Sequence, residues 1–264
     1  MKICMAGACG RMGRRILELA AGSEDIEIAG AFDVPENAGT ELQVGAESGR
    51  PRTVVVGGSS AELEHAEVLI DFTAPASCID NVRSAAVQRK AAVVGTTGLS
   101  TEQLAELQAF AEQSAVVYAP NMSVGVNLLF KLTREVAQIL GLDYNVEIVE
   151  IHHNQKKDSP SGTAVRLAEQ AAAGLGLKYA KHARHGREGL VGARPRQEIG
   201  LHAVRGGDVV GEHTVSFIGQ GERLELVHKA HSRDNFARGA LVAARFAVKA
   251  APGLYDMQDV LGLR

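Results

Sequence analysis

Lys2-Ile3-Cys4-Met5-Ala6-Gly7-Ala8-Cys9-Gly10-Arg11-Met12-Gly13-Arg14-Arg15-Ile16-Leu17 decides the fold. Lys2–Ala6 is a short apolar run of strand length that stops at a glycine. From Arg11 to Ala21 the apolar positions Met12, Ile16, Leu17 and Ala20 recur at helical spacing. Between the two lie Gly7, Gly10 and Gly13. A strand that turns through glycines straight into a helix is the opening unit of a parallel α/β sheet. Glycines there permit a tight turn, a close backbone approach to a pyrophosphate, and close packing of helix on strand. The helix start then offers amide N–H groups to the phosphates. The spacing is GxxGxxG, not the common GxGxxG, so the context has to carry the reading. Asp33 supplies it: an acid closing the second strand, about 20 residues beyond Gly13, stands where a carboxylate grips ribose hydroxyls.

Working outward, the strand–helix rhythm continues. Strands are expected at Ile26–Phe32, Thr53–Val56, Val68–Phe72, Ala91–Gly95 and Val116–Ala119, with helices near Ala76–Arg89 and over Thr101–Gln113. Ser100 or Thr101, followed by Glu102 and Gln103, opens the last of these helices. The rhythm implies right-handed crossovers and a Rossmann-like, doubly wound parallel sheet. Ligands of such sheets bind beyond the carboxyl ends of the strands. Gly95-Thr96-Thr97-Gly98 and Ala119-Pro120-Asn121-Met122, which end two strands, are therefore expected to line the nicotinamide side.

After Asn121 the pattern changes. A long helix over Gly125–Gly141 precedes an alternating strand at Val146–His153 and a helix over Thr163–Ala173, stopped by Gly174. Ile199–Val204, Glu212–Ile218 and Leu224–Lys229 read as strands at hairpin spacing, which predicts an antiparallel or mixed sheet in a second, α+β domain. An Ala-rich helix over Phe236–Lys249 closes the chain. The expected division is a dinucleotide-binding domain over 1–123, a substrate-binding and oligomerisation domain over 124–232, and a segment over 233–264 that returns to the first.

The chain has 264 residues, 45% apolar and 22% charged, which excludes a disordered or fibrous class. A net charge of -3 provides no field for nucleic acid or an anionic membrane. No run of about 18 apolar residues is present for a membrane span, and the first residues lack the apolar core of a signal peptide. Cys4, Cys9 and Cys78 form no CxxC pair, so a soluble, cytoplasmic protein is expected. Lys178–Arg196 is dense in cations, among them Arg187 and Arg194. Lacking aromatics apart from Tyr179, it reads as a solvated loop before it reads as an anion- or nucleic-acid-binding one.

The densest polar cluster is Glu150-Ile151-His152-His153-Asn154-Gln155-Lys156-Lys157-Asp158-Ser159-Pro160-Ser161-Gly162-Thr163-Ala164. It begins at a strand end and finishes at a helix start, with Ser161 as N-cap and Gly162 and Thr163 supplying N–H groups: a site for a carboxylate or phosphate. Imidazoles and ammonium groups beside an anion site suit proton transfer at neutral pH. His152 and His153 are consecutive strand residues that point to opposite faces, so they have different jobs. Adjacent strand histidines without a nearby cysteine make a poor metal site, and no metal is expected.

The sequence resembles the 4-hydroxy-tetrahydrodipicolinate reductase (dihydrodipicolinate reductase) family. The resemblance is carried by GACGRMGR at 7–14, DFTAP at 71–75, GTTG at 95–98, APNMSVGVN at 119–127 and, most specifically, EIHHNQKKDSPSGTA at 150–164. GDVVGEHT at 207–214, GERLELVHKAHSR at 221–233 and LYDMQDVLGL at 254–263 also match. The resemblance implies reduction of an unsaturated cyclic imine dicarboxylate by NADH or NADPH, and a homotetramer joined through the sheet of the second domain. It implies His152 as proton donor/acceptor and Lys156 as proton donor, with His153, Gly162 and Thr163 binding substrate. The cofactor would be held by Gly7, Ala8, Cys9, Gly10, Arg11, Met12, Asp33, Gly95, Thr96, Thr97, Ala119, Pro120, Asn121 and Met122. Val34 stands where some members place an arginine for a 2′-phosphate, so NADH is expected to bind more tightly, with Arg11, and less directly Arg14, softening the discrimination. A homoserine-dehydrogenase-like reductase would share the first half without the His/Lys cluster, and a nucleotide-sensing regulator would need no proton donor.

Overall fold

The computed structural model describes all 264 residues. The chain divides into two compact units, Met1–Val124 with Asp234–Arg264, and Gly125–Arg233.

The first unit opens with β1 (Lys2–Ala6), α1 (Arg11–Ala21), β2 (Glu27–Phe32), β3 (Glu41–Val44) and β4 (Arg52–Val55). It continues with β5 (Val68–Asp71), α2 (Pro75–Val87), β6 (Ala91–Val94), α3 (Thr101–Phe110) and β7 (Ala115–Tyr118). A six-stranded sheet runs in the order β2-β1-β5-β6-β7 and ends on a strand from the far end of the chain. Every pairing in it is parallel. Its central strands are apolar on both faces, as burial between two helix layers requires: Val68, Leu69 and Ile70 are all fully buried. Helix α1 buries Ile16, Leu17, Ala20 and Ala21 on one stripe. Helix α3 starts with a capping box in which Ser100 and Gln103 satisfy each other's backbone amides.

One expected strand of that sheet belongs elsewhere. Thr53–Val56 contributes to β4, which pairs antiparallel with β3 in a separate two-stranded ribbon. Its pattern shows the reason: Val54 is buried while Val55 is exposed, an alternation that fits a one-faced ribbon and not a doubly covered strand.

The second unit holds α4 (Val124–Leu140), β8 (Asn145–His152), α5 (Gly162–Gly174), α6 (Tyr179–His182), β9 (Ala183–His185), β10 (Ile199–Arg205), β11 (Glu212–Ile218) and β12 (Arg223–Lys229). Its five-stranded sheet runs β12-β11-β8-β10-β9 and is mixed. The expected hairpin between β10 and β11 does not form, because β8 lies between them, parallel to β10 and antiparallel to β11. Strand β8 alternates without a break: Val146, Ile148, Glu150 and His152 are buried, and the residues between them are half-exposed. Val146 and Ile148 meet Val126, Leu129, Phe130, Leu167 and Ala171 in one apolar core.

The basic stretch is not simply a solvated loop. It contributes α6 and β9, and Arg187 and Arg194 close on Glu147 of β8 at 2.6 and 2.8 Å. Burial alone would raise the Glu147 carboxyl, but Arg187, Arg194 and His202 together hold it down at about 2.

The last elements, α7 (Asp234–Ala247), β13 (Gly253–Tyr255) and α8 (Met257–Val260), belong to the first unit. Strand β13 adds beside β7 as the sixth strand. Helix α7 comes so close to the β7 exit that a Cβ on Gly239 would lie 1.7 Å from the Met122 carbonyl oxygen. Arg15 of α1 pairs with Asp234 at the start of α7 at 2.5 Å.

Candidate active site

The first group of site residues sits on the carboxyl ends of β1, β2, β6 and β7. In the turn after β1, a Cβ on Gly13 would lie 2.1 Å from the Gly7 carbonyl oxygen, so α1 starts pressed against the turn. Gly10 is the N-cap of α1 and offers no side chain, and the first turn carries no acid. Arg11, Met12 and Gly13 present first-turn amides that no intrahelical carbonyl accepts. Backbone amides so placed can hold an anion.

Other amides of the turn are engaged internally. Gly7 and Ala8 both donate to the Phe32 carbonyl, and Cys9 N donates to Asp33 Oδ2 at 2.9 Å. Asp33 Oδ1 accepts from Val34 N and Asn37 Nδ2, each at 2.9 Å. Burial opposes ionisation of Asp33, yet these donors, with the charge of Arg14, hold its carboxyl below the usual range. Arg14, whose Nε donates to the Cys9 carbonyl at 3.0 Å, is the cation acting on Asp33.

Gly95, Thr96 and Thr97 follow β6, and Ala119, Pro120, Asn121 and Met122 follow β7. Thr96 is buried, and its hydroxyl donates to Asp71 Oδ1 at 2.7 Å and accepts from Thr73 N at 2.8 Å. Asp71, fully buried at the end of β5, also receives Thr73 Oγ1 and Asn81 Nδ2, each at 2.8 Å. One carboxylate therefore ties the loop after β5 to the loop after β6. Asp71 belongs to the DFTAP stretch but not to the expected site residues, although an acid ending an otherwise apolar strand is a signal of such a role. Ala119 and Met122 are buried.

The second group lies wholly in the other unit. His152 is the last residue of β8 and is buried, whereas His153 beyond it is half-exposed. Glu150 is 1% exposed. Its Oε2 meets His152 Nδ1 at 2.6 Å and Arg205 Nη1 at 2.7 Å, and its Oε1 accepts from Arg205 Nη2 and Ser161 N, each at 2.9 Å. Arg205 Nη2 also donates to the Asp158 carbonyl at 2.8 Å, and Lys156 Nζ donates to Asp158 Oδ1 at 2.9 Å. Ser161 caps α5 as expected, accepting from Ala164 N at 3.2 Å. Gly162, exposed, and Thr163, half-exposed, are the first residues of that helix.

His213 of β11 completes the group. Its Nε2 is 3.1 Å from Ser161 Oγ, and its ring stands edge-on to His152 with centroids 5.2 Å apart. Burial pushes its pKa down to about 3, with His152 adding to the fall, so the ring is neutral. Burial also lowers His152, against the pull of Glu150 in the other direction. Glu150 is held below its ordinary value: burial opposes this, and Arg205 overcomes it. Arg205 and His213 were not among the expected site residues. They lie some 50 residues from the cluster in sequence, and only the register of β8 between β10 and β11 brings them in.

A glycine turn running into a helix start, with an acid after β2, on a parallel sheet, and an imidazole and an ammonium group near a capped helix start on a mixed sheet, fit a dinucleotide-dependent reductase acting on an anionic substrate. Comparison with known proteins narrows the class. Family models described as "Dihydrodipicolinate reductase, N-terminus" and "Dihydrodipicolinate reductase, C-terminus" match residues 1–122 and 125–261. The chain is 49% identical to the 4-hydroxy-tetrahydrodipicolinate reductase of Citrifermentans bemidjiense and 50% identical to that of Syntrophotalea carbinolica, each match covering 100% of both chains. Among solved structures it resembles a dipicolinate-bound dihydrodipicolinate reductase from Paenisporosarcina sp. TG-14, with TM-score 0.77, 25% identity and 97% of each chain covered. An amine dehydrogenase from Mycobacterium smegmatis, 14% identical over 96% of this chain and 94% of its own with TM-score 0.56, shares the fold. The chain belongs to the dihydrodipicolinate reductase family, and it is an oxidoreductase.

Proposed function

We propose that this chain catalyses the NAD(P)H-dependent reduction of 4-hydroxy-tetrahydrodipicolinate to tetrahydrodipicolinate, in the diaminopimelate route to lysine. The observation that carries the reading is the family match over both halves of the chain, with relatives of that name matching end to end. The hydroxylated ring loses water and takes up one hydride and one proton. A reduced nicotinamide held by the first unit supplies the hydride; this chain's own residues manage the carboxylates and the proton.

Two carboxylates call for cations and hydrogen-bond donors. The start of α5 carries the Gly162 and Thr163 amides and the Thr163 hydroxyl, His153 directly follows β8, and dipicolinate in the Paenisporosarcina relative is a ligand of the same dicarboxylate kind. Lys156, one-fifth exposed and steered by Asp158, is the proton donor; His152 is the donor/acceptor that relays protons beside it. Gly7 to Met12, Asp33, Gly95 to Thr97 and Ala119 to Met122 hold the nucleotide. Asp33 accepts ribose hydroxyls and repels a 2′-phosphate, while Val34, 53% exposed, offers no cation in compensation. NADH is therefore the tighter cofactor, by about tenfold, with NADPH also used.

No helix is long and apolar enough to cross a membrane, and the three cysteines are free, in keeping with a cytoplasmic enzyme. The face of the second sheet opposite α4 and α5 leaves Val204 and Val227 about half exposed, and through this face we place a homotetramer. The assay is oxidation of NADH by the purified protein with freshly generated dihydrodipicolinate, followed at the nicotinamide absorbance. No substrate-dependent oxidation with either nucleotide would refute the reading.

A further inference from the structure

Glu150 is buried beside His152, and the acid/base roles of His152 and Lys156 leave it without a part in the reaction. Each of its oxygens faces two donors. Arg205 grips it through both terminal nitrogens at 2.7 and 2.9 Å, Ser161 N reaches Oε1 at 2.9 Å, and His152 Nδ1 stands 2.6 Å from Oε2. We propose that Glu150 is the positioning residue of the site: it holds His152 as the Nδ1–H tautomer, so that Nε2 is the atom that exchanges protons, and it joins that ring to the start of α5. The proposal rests on the reading of His152 as the proton donor/acceptor.

The tautomer follows from proton counting. A guanidinium keeps its charge, and a carboxylate gripped by both its nitrogens is ionised and can only accept. The hydrogen between Oε2 and Nδ1 therefore sits on nitrogen. The opposite tautomer would set a nitrogen lone pair 2.6 Å from an anionic oxygen inside a buried pocket. With Nδ1 donating, Nε2 carries the free lone pair. Its neighbour is Gly211, where a Cβ would come within 2.9 Å of Nε2, so the absence of a side chain there keeps that nitrogen open.

The same carboxylate fixes what surrounds the ring. Through Ser161 N it anchors the first turn of α5, whose capping hydroxyl also meets His213. Through Arg205, which holds the Asp158 carbonyl, it steadies the residue that pairs with Lys156. The groups acting on His152 are Glu150 on its own strand, Lys156 on the following loop and Arg205 at the end of β10, with neutral His213 on β11 stacked edge-on. Asp158 acts through Lys156 and Arg205, and His228 of β12 lies behind His213 in register. Glu150 is the one group among those acting directly on His152 that favours its protonated form, so its removal lowers the His152 pKa further.

The test reads the ring directly. In wild-type protein labelled with nitrogen-15 histidine, with His152 assigned by its absence in His152→Gln, the neutral ring should show a protonated Nδ1 and an unprotonated Nε2. An Nε2–H tautomer overturns the proposal. In Glu150→Gln the two tautomers should mix, the acidic limb of kcat/KM should move down by about one pH unit, and kcat should fall about tenfold with NADH affinity unchanged. A folded Glu150→Gln protein with an unchanged tautomer and pH profile also overturns it. If that variant does not fold, the wild-type spectrum decides alone. Full turnover in His152→Gln would instead refute the acid/base role of His152, and the tautomer measurement would still judge the part played by Glu150.

Discussion

The two groups of candidate site residues, one in each unit, are built from different materials. In the first unit the anion cradle is backbone: amides at the start of α1, glycines that let turn and helix touch, and one side chain, Asp33, donated to by Cys9 from the turn itself. In the second unit the site is side-chain charge. Glu150, Arg205, Ser161, His213, His152, Asp158 and Lys156 come from three strands, a helix start and a loop, and each is held by another. A backbone cradle makes few demands on side-chain identity beyond keeping atoms away. A charge web demands particular groups at particular distances, because a buried charge without its partner costs far more than an unmade contact.

The sharpest way to break the contrast is to remove chemistry from the second half without touching its frame. Lys156→Ala, exposed on one side and bonded only to Asp158, should cut kcat by roughly 10²–10⁴-fold while calorimetric NADH affinity stays within about twofold of wild type. A near wild-type rate would remove Lys156 as the proton source.

Breaking the frame itself should show in stability. Arg205→Leu leaves the Glu150 carboxylate 1% exposed with only Ser161 N and His152 as donors, and should lower unfolding free energy by about 3 kcal/mol in urea titration. The first unit owes nothing to this pair, so the native fraction should still bind NADH. A loss below about 1 kcal/mol would mean that Arg205 is not needed to keep the carboxylate ionised.

Acid separates the halves as well. His213 has a folded pKa of about 3 against an ordinary 6.5, so below 6.5 the unfolded chain takes up a proton that the folded chain refuses. Stability is full above 6.5 and falls with pH through that window, by about 2 kcal/mol on reaching pH 5. Glu147, depressed from 4.5 to about 2, adds its own loss only below 4.5. His213→Asn should flatten the urea midpoint between pH 6.5 and 5; an equal slope in both proteins would assign the acid sensitivity elsewhere.

The smallest effect concerns the one side chain the cradle uses. Asp33→Ala should erase an approximately tenfold preference for NADH over NADPH, about 1.4 kcal/mol, as measured by calorimetric titration of each nucleotide. An NADPH preference in the wild type would contradict the role given to Asp33.

The sequence by itself determined those features whose cause is local. Gly7, Gly10 and Gly13 between an apolar run and a helical stripe marked the turn, since only glycine admits the close approach that the structure shows at Gly13. Ser100 with Gln103, and Ser161 before Gly162, marked two helix starts because capping is satisfied within a few residues. Tertiary structure decided the rest. Strand β3 and the three-residue β13 were hidden, and the strand expected at Thr53–Val56 was given the wrong sheet, because short strands take their partners from tertiary packing and not from their own pattern. Placing β8 between β10 and β11 was equally hidden, and it is this register that sets His213 opposite Glu150 and Arg205 opposite His152. Pairing partners are chosen by burial of a whole sheet face, a sum over many residues that no single stretch contains, so the carboxylate at the centre of the second site was visible in sequence while its web of donors was not.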